Sequence, residues 1–179
     1  MSKNCVIAAI RDEDALLDAC KSDVRVVFDL SPSIETIDSR VELCREYDKY
    51  LFLHIDMAEG IGKDRAGLWY VKSRGVRGII STRPNLIKLA NELGLETVHR
   101  MFIIDSHSVE TAIATFKTKS DMVEIMPGIV APRIIERICD EVNIPVIAGG
   151  LIETRDEIAS AIKAGAVAVS TGNKKLWNM

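Results

Sequence analysis

The sequence predicts an α/β fold, a single small (β/α)8 barrel of the TIM type spanning residues 1–179. The length of 179 residues, with 47% hydrophobic and 27% charged residues, is that of one globular domain. Short apolar, β-branched segments alternate with amphipathic segments along the whole chain, which is the pattern of repeated βα units. Eight units are present, and eight parallel strands close a barrel. An open, doubly wound sheet is the alternative.

Each predicted strand is an apolar run that ends in polar or turn-forming residues. The first four are CVIAAI from Cys5, VRVVFDL from Val24, YLFLHID from Tyr50 and GIIST from Gly78. The second four are ETVHRMFIID from Glu96, MVEIMP from Met122, PVIAGG from Pro145 and AVAVSTG from Ala166. Parallel strands need crossover connections, and the amphipathic segments between these runs are suited to form them.

The connecting helices are predicted from periodicity and from their end signals. They include IETIDSRVELCREYD, RPNLIKLANELG, VAPRIIERICDEV and ETRDEIASAIKAG. Thr154 and Glu157 have capping-box spacing, and Gly165 ends that helix where a left-handed residue is favoured. The last unit, NKKLWNM, has room for barely two helical turns, which leaves one flank of the barrel thinly covered. We therefore expect a homo-oligomer that buries this flank.

The composition argues against membrane and secreted proteins. No apolar run approaches the roughly 20 residues that span a bilayer. Arg11 and Asp12 follow the first apolar run too closely for a signal peptide. The four cysteines, which lack Cys-x-x-Cys spacing, are Cys5, Cys20, Cys44 and Cys139. We interpret them as reduced core residues of a cytoplasmic protein with no membrane partner.

The charge is distributed unevenly along the chain. The net charge is −3, but the stretch from Gly60 to Ala90 carries +6 and the remainder −9. In the predicted third helix Arg65, Trp69 and Lys72 share one face. Basic residues beside an aromatic are typical of single-stranded RNA recognition, while a solvated or subunit-contact face is equally consistent. The candidate RNA-binding residues are Lys63, Arg65, Trp69, Lys72, Arg74 and Arg77.

Two adjacent strand ends suggest an anion site, because barrels of this type bind ligands at the C-terminal ends of their strands. Strands seven and eight end in small, polar residues before a short helix, where backbone N–H groups commonly hold a phosphate. A single glycine here more often makes only a tight turn, but two neighbouring loops of this kind favour the phosphate. The predicted phosphate-binding residues are Gly149, Gly150, Ser170, Thr171, Gly172 and Asn173.

Polar residues at or near the other strand ends are candidates to bind or support a ligand. His54 and Asp56 are two apart on predicted strand three, so their side chains should both point inward at the mouth. This spacing suits ligand hydroxyls, a structural pair or a metal, but no further metal ligand is evident. Arg100 and Glu124 should pair with each other or with the ligand, unless they point outward beneath a helix. The full set is Asp29, His54, Asp56, Ser81, Arg100 and Glu124.

The chain resembles a known family over essentially its whole length. The segments are LHIDMAEG, GIISTRPNLIKLANELGLETVHRMFIIDS, MPGIVAPRII and IPVIAGGLIETRDEIASAIKAGAVAVSTGNKKLWNM. They are similar to the glycerol-uptake operon antiterminator regulatory proteins. The resemblance implies a barrel that senses glycerol 3-phosphate and, when occupied, binds leader messenger RNA so that transcription passes a terminator. It assigns the phosphate to Gly149, Gly150, Ser170, Thr171 and Gly172, and the glycerol hydroxyls or their support to His54, Asp56, Arg100 and Glu124.

This family implies neither a catalytic residue nor a cofactor. The alternative is an enzyme acting on a triose or sugar phosphate, because a His-x-Asp strand end with a Gly-Gly loop also resembles phosphate-sugar epimerases and prenyl-glycerol-phosphate synthases. Three features favour a sensor. The sequence pattern lacks a second metal-type histidine and an obvious lysine near a strand end, and it leaves too little chain for a closing lid.

Overall fold

A computed structural model describes residues 5–116 and 120–178 and shows a closed barrel of parallel strands. Each strand pairs with the next along the chain, and the first pairs with the eighth to close the ring. The predicted barrel is therefore confirmed and the open sheet is wrong. The strands are β1 Val6–Ile10, β2 Val26–Asp29, β3 Tyr50–His54, β4 Gly78–Ser81, β5 Glu96–Phe102, β6 Met122–Met126, β7 Val146–Gly149 and β8 Ala168–Thr171.

Helices follow the first seven strands. They are α1 Glu13–Lys21, α2 Ile37–Glu46, α3 Arg65–Ser73, α4 Pro84–Glu92, α5 Ser106–Phe116, α6 Pro132–Glu141 and α7 Arg155–Lys163. The predicted capping box begins α7, where the Thr154 hydroxyl accepts a hydrogen bond from the Glu157 N–H at 3.2 Å. Gly165 has a φ of 104°, as its place after the helix requires.

The chain ends in less helix than the sequence predicts. Instead of two helical turns, Lys174–Leu176 forms a single 3-10 turn. Trp177 is buried beside it, and its Nε1 donates to the Thr171 carbonyl at 3.0 Å. Lys174 also pairs with Asp18 of α1 at 2.6 Å, so this short segment lies against α1. The expected oligomer that would cover this flank stays a prediction.

The barrel interior changes from apolar to polar along the strands. Its apolar part consists of Ile7, Phe28, Phe52, Ile80, Val98 and Ile147. A larger apolar cluster on the outer side of the strands packs against the helices. Inward-facing side chains recur every second residue, so the next positions toward the C-terminal ends of β5, β6 and β8 are Arg100, Glu124 and Ser170. These polar residues form the floor of the barrel mouth.

All four cysteines are free, and Cys20 and Cys44 are buried while Cys5 and Cys139 are partly buried. Within residues 5–116 and 120–178, no helix is long and apolar enough to cross a membrane.

Candidate functional site

One cavity of about 690 Å³ opens at the C-terminal ends of the strands. Arg100 and Ser170 lie on its floor. The end beside β8, β1 and β2 is lined by Ala9, Arg11, Asp12, Ala15, Leu30, Thr171, Gly172 and Lys174. The end beside β5, β6 and β7 is lined by Phe102, Met126, Pro127, Gly150 and Leu151. The cavity therefore has a charged end and a mainly apolar end.

A buried ion pair forms the floor of this cavity. Arg100 Nε donates to Glu124 Oε2 at 2.5 Å, and Ser170 Oγ donates to Glu124 Oε1 at 2.5 Å. Glu124 is 0% exposed and Arg100 is 7% exposed. Of the alternatives that the sequence left open for Arg100 and Glu124, the structure shows the one in which they pair with each other inside the barrel, and the outward orientation is wrong. The Nη groups of Arg100 have no acceptor among the described residues, so they are available to an anion or hydroxyl in the cavity.

Gly149 makes room for this network. A Cβ at this position would lie 2.2 Å from Glu124 Oε1 and 2.5 Å from Ser170 Oγ. Gly149 is buried and does not line the cavity. The structure thus gives a packing reason for this glycine, in place of the phosphate contact that the sequence predicts.

The loop after β7 has an unusual backbone. Gly150 has a φ of 78°, and the following Leu151 has a φ of 60°, a left-handed conformation that costs a non-glycine residue roughly 1–2 kcal/mol. Strain of this kind is often found at ligand sites. Both residues line the cavity.

Two backbone donors border the cavity without an internal acceptor. Within the described chain, the N–H groups of Leu151 and Gly172 form no hydrogen bond. A Cβ on Gly172 would meet only the Ala9 carbonyl, at an ordinary 3.5 Å, so packing does not require glycine at that position. Free N–H groups beside cationic side chains are suitable donors to a phosphate.

Thr171 and Asn173, two further predicted phosphate ligands, use their side chains inside the protein. The Thr171 hydroxyl donates to the Ile152 carbonyl at 2.6 Å. The Asn173 amide donates to the Glu153 carbonyl at 3.1 Å and to its carboxylate at 3.0 Å. These bonds hold the loops after β7 and β8 together, so the two side chains shape the site.

Arg11 is a site residue that the sequence reasoning missed. It directly follows β1, is exposed, lines the charged end of the cavity and forms no ion pair with any described residue. Its position at a strand end was the available signal, but we interpreted it only as the boundary of an apolar run. Lys174 was also missed, since no lysine was expected near a strand end. Its ammonium is hydrogen-bonded to Asp18, which raises the pKa of Lys174.

His54 lies at the end of β3 with a largely buried ring. Burial, followed by the nearby positive charge of Arg100, lowers the pKa of His54 to about 4. Its Nδ1 atom has no hydrogen-bond partner among the described residues. The imidazole is therefore neutral at pH 7 and adds no charge to the mouth.

Asp29 does not face the mouth, so the prediction that it lies in the ligand site is wrong. It lies on the outer side of β2, where its carboxylate pairs with Arg40 of α2 at 2.6 Å. Asp29 is 0% exposed, and Arg40 also pairs with Glu13 of α1 at 2.8 Å. Burial raises the pKa of Asp29 against the opposing effect of Arg40. This ion pair joins a strand to two helices.

The predicted alignment of His54 and Asp56 on one strand is also wrong. Strand β3 ends at His54, and Asp56 belongs to the 3-10 turn Ile55–Met57. Its carboxylate accepts hydrogen bonds from Ser81 Oγ at 2.7 Å and from the Thr82 N–H at 2.7 Å. Burial opposes ionisation of Asp56, but these hydrogen bonds outweigh it and lower its pKa. Asp56 and Ser81 thus link the ends of β3 and β4 and do not line the cavity.

The basic stretch is largely compensated by acids from elsewhere in the chain. Its ion pairs are Arg65–Glu92 at 3.0 Å, Arg74–Asp38 at 2.6 Å, Arg83–Asp56 at 3.7 Å and the contact between Arg77 and Glu96. These four carboxylates lower the net charge of the flank from +6 to +2. Lys63 and Lys72 donate to backbone carbonyls.

The candidate RNA-binding residues divide between two surfaces. On α3, Trp69 is 62% exposed while Leu68 and Val71 are buried, which confirms the predicted outer face. Lys72 lies at the end of this face and, together with Arg74, Arg77 and Tyr50, lines a second cavity of about 530 Å³. Tyr50 is the first residue of β3, so this second cavity lies at the N-terminal ends of the strands, opposite the mouth.

Comparison with known proteins identifies the family. Residues 6–177 match the family described as glycerol-3-phosphate responsive antiterminator. The chain belongs to this family. Among curated proteins, it is 33% identical over 183 residues to the uncharacterized protein YgcP of Escherichia coli strain K12, covering 100% of this chain and 94% of that protein.

Two solved structures are similar to this antiterminator-family protein. One is a glycerol uptake operon antiterminator-related protein from Thermotoga maritima, with 32% identity and a TM-score of 0.87 over 98% of this chain and 99% of that chain. The other is a glycerol uptake operon antiterminator regulatory protein from Listeria monocytogenes, with 31% identity and a TM-score of 0.89 over 96% of this chain and 94% of that chain.

Proposed function

We propose that this protein senses glycerol 3-phosphate in the mouth cavity and, when occupied, binds the leader messenger RNA of glycerol-utilisation genes to allow transcription past a terminator. Membership of the glycerol-3-phosphate responsive family supports the ligand class. The observation that carries the proposal is a single cavity that combines the side chains of Arg11 and Arg100 with the N–H groups of Leu151 and Gly172, which have no acceptor in the described part of the chain.

The phosphate occupies the charged end of the cavity in this proposal. Arg11 has no counterion among residues 5–116 and 120–178, so a phosphate dianion would supply one. The N–H groups of Leu151 and Gly172 donate to the phosphate oxygens, as backbone donors at the ends of strands seven and eight do in barrels of this type. Gly150 allows the β7 loop to turn toward the anion.

The glycerol moiety lies over the polar floor. The Nη groups of Arg100 donate to a hydroxyl, and Glu124 positions Arg100 through its bond to Nε. Ser170 is oriented by the same carboxylate, so its hydroxyl oxygen remains an acceptor for a ligand hydroxyl. His54 supports this arrangement as a neutral ring near Arg100.

The enzymatic alternative is less well supported by the side chains of the site. A lysine that forms a Schiff base needs a lowered pKa, but the pKa of Lys174 is raised by its hydrogen bond to Asp18. Among the described residues, no three His, Cys, Asp or Glu side chains converge as metal ligands would. Neither His54 nor Glu124 lines the cavity. Glu124 is also held by Arg100 and Ser170, so neither residue is placed to exchange a proton with a ligand there.

Calorimetric titration with glycerol 3-phosphate, glycerol and inorganic phosphate tests the ligand. We expect binding of the phosphate ester, no binding of glycerol, and weaker binding of phosphate alone. Glycerol 3-phosphate at about a hundred times its Kd should raise the free energy of unfolding by roughly 2.7 kcal/mol.

Filter binding of a leader transcript with and without the ligand tests the regulatory step. Equal stabilisation by glycerol would contradict the phosphate site, and ligand-independent RNA retention would contradict the switch.

A further inference from the structure

The mouth cavity is considerably larger than glycerol 3-phosphate requires. The ligand has about ten non-hydrogen atoms, and even at a water molecule's share of roughly 30 Å³ each they fill at most about 300 Å³. The cavity measures about 690 Å³. More than half of the volume is therefore left over when glycerol 3-phosphate is bound.

The part of the cavity beyond the proposed phosphate position is its apolar end. Arg11, Gly172 and Lys174 line the end beside β8 and β1, whereas Phe102, Met126 and other apolar residues line the end beside β5 to β7. In the closed ring β5 lies across from β1, so Phe102 and Arg11 lie on opposite sides of the mouth, while the loop after β7 adjoins β8 and borders both ends. In the proposed placement, with the phosphate at the charged end, the free terminal hydroxyl of glycerol 3-phosphate points across the floor toward the apolar end.

Exposed apolar side chains continue from this end onto the surface. Phe102 is 54% exposed and Ile104 is 85% exposed after β5, Ile129 is 47% exposed after β6, and Leu151 is 64% exposed after β7. Adjacent exposed apolar residues at a rim commonly mark a binding surface. This rim, formed by Phe102, Ile104, Ile129 and Leu151, is continuous with the cavity through Phe102 and Leu151.

Resting on the proposed function, we infer that the cavity accepts a glycerol phosphate monoester that carries an acyl or alkyl substituent on its terminal hydroxyl. The phosphate and glycerol occupy the positions already described, and the substituent packs on Phe102, Met126 and Pro127. The ester or ether oxygen replaces a hydroxyl that faces an apolar wall, so no polar contact is lost. The protein would then respond to a lipid-derived glycerol phosphate as well as to the free compound.

Calorimetric titration with 1-hexanoyl-glycerol 3-phosphate, which is short enough to remain monomeric in water, tests this inference against glycerol 3-phosphate. Each buried methylene group should tighten binding about fourfold, so we expect the hexanoyl compound to bind at least about tenfold more tightly. Equal or weaker binding of the hexanoyl compound, with glycerol 3-phosphate still bound, overturns the inference and leaves the proposed function intact. Binding of neither compound means that the proposed function itself has failed.

Variants of the rim identify the contact. Phe102→Gln should abolish the preference for the hexanoyl compound, and Phe102→Leu, which keeps an apolar side chain, should retain most of it. Ile104→Gln is the matched control, because Ile104 is exposed nearby but does not line the cavity. The inference is wrong if Phe102→Gln keeps the preference, or if Ile104→Gln loses it equally. Sedimentation velocity on Phe102→Gln tests the alternative that a second copy of the chain covers the rim. Loss of a dimer, with the preference for the hexanoyl compound intact, would show that the rim is a subunit contact.

Discussion

Replacing Arg100 with methionine separates the two roles that the structure gives this side chain, in stability and in ligand binding. Methionine has a comparable unbranched chain, but it leaves Glu124, which is 0% exposed, with Ser170 as its remaining hydrogen-bond donor. Removing one partner of a buried ion pair typically costs about 3–5 kcal/mol. In a protein of this size that corresponds to a fall in Tm of roughly 6–20 °C.

The same change should weaken the binding of glycerol 3-phosphate. A hydrogen bond from a charged donor contributes about 1.5–3 kcal/mol, so Arg100→Met should raise the Kd by roughly 10- to 150-fold. Glu124→Gln is the matched control because it removes the carboxylate charge and leaves Arg100 in place. The Ser170 hydroxyl can rotate to accept from the new amide, so Arg100 keeps an oxygen acceptor. We expect Glu124→Gln to destabilise the fold but to bind the phosphate at least as tightly as the wild type.

Differential scanning calorimetry and isothermal titration on the three proteins measure both quantities. Both variants should lose stability, but only Arg100→Met should lose affinity for glycerol 3-phosphate. If Glu124→Gln loses as much affinity as Arg100→Met, the network acts only by shaping the mouth. If Arg100→Met binds glycerol 3-phosphate as the wild type does, the ligand does not contact Arg100.

Four further outcomes follow from the structure. Gly172→Val should change Tm by no more than about 2 °C but block phosphate binding in calorimetry, because the added side chain has room only at the mouth. Retained affinity would show that the phosphate does not bind beside Gly172. Arg40→Met should lower the free energy of unfolding in urea by about 3–5 kcal/mol without changing ligand affinity, since Asp29 lies outside the site. The unfolded state binds a proton at His54 below pH 6.5 and the folded state only near pH 4. The free energy of unfolding should therefore decrease as the pH is lowered from 6.5 to 4, and it should decrease less in His54→Gln. Charge reversal of Arg65 and Lys72 to glutamate should weaken RNA retention in filter binding and flatten its salt dependence, whereas undiminished retention would assign that face to solvent or a subunit.

The sequence was sufficient to predict the fold because each βα unit carries its own local signal. An apolar run, a polar strand end and an amphipathic segment recur eight times, and barrel closure follows from that number. The same regularity located the mouth, since parallel strands in a barrel all end on one side. For Arg100 and Glu124 the sequence left an inward and an outward orientation open, and only the structure, in which the two pair in the barrel interior, decides between them.

The errors arose where a strand stopped earlier than its apolar run suggested, or where an outward position resembled a strand-end ligand. Asp56 follows the run YLFLH, but the chain turns into a 3-10 helix at Ile55, so the period of two no longer applies. Asp29 occupies a true strand end, yet it has the outward parity of Val27 and its partner Arg40 is eleven residues away on a helix. Only tertiary packing shows that a helix delivers a guanidinium to that point.

The basic stretch shows the same limit for charge. Seven cationic residues between Gly60 and Ala90 suggest a polyanion site when the chain is considered in isolation. The fold brings Asp38, Glu92 and Glu96 from neighbouring units against this stretch, because adjacent βα units pack side by side around the barrel. An RNA phosphate would have to compete with these carboxylates for the arginines, and exposed pairs of this kind are held by only about 0–1 kcal/mol each. Competition is therefore energetically feasible, so the ion pairs reduce the long-range attraction of this flank without preventing direct contact.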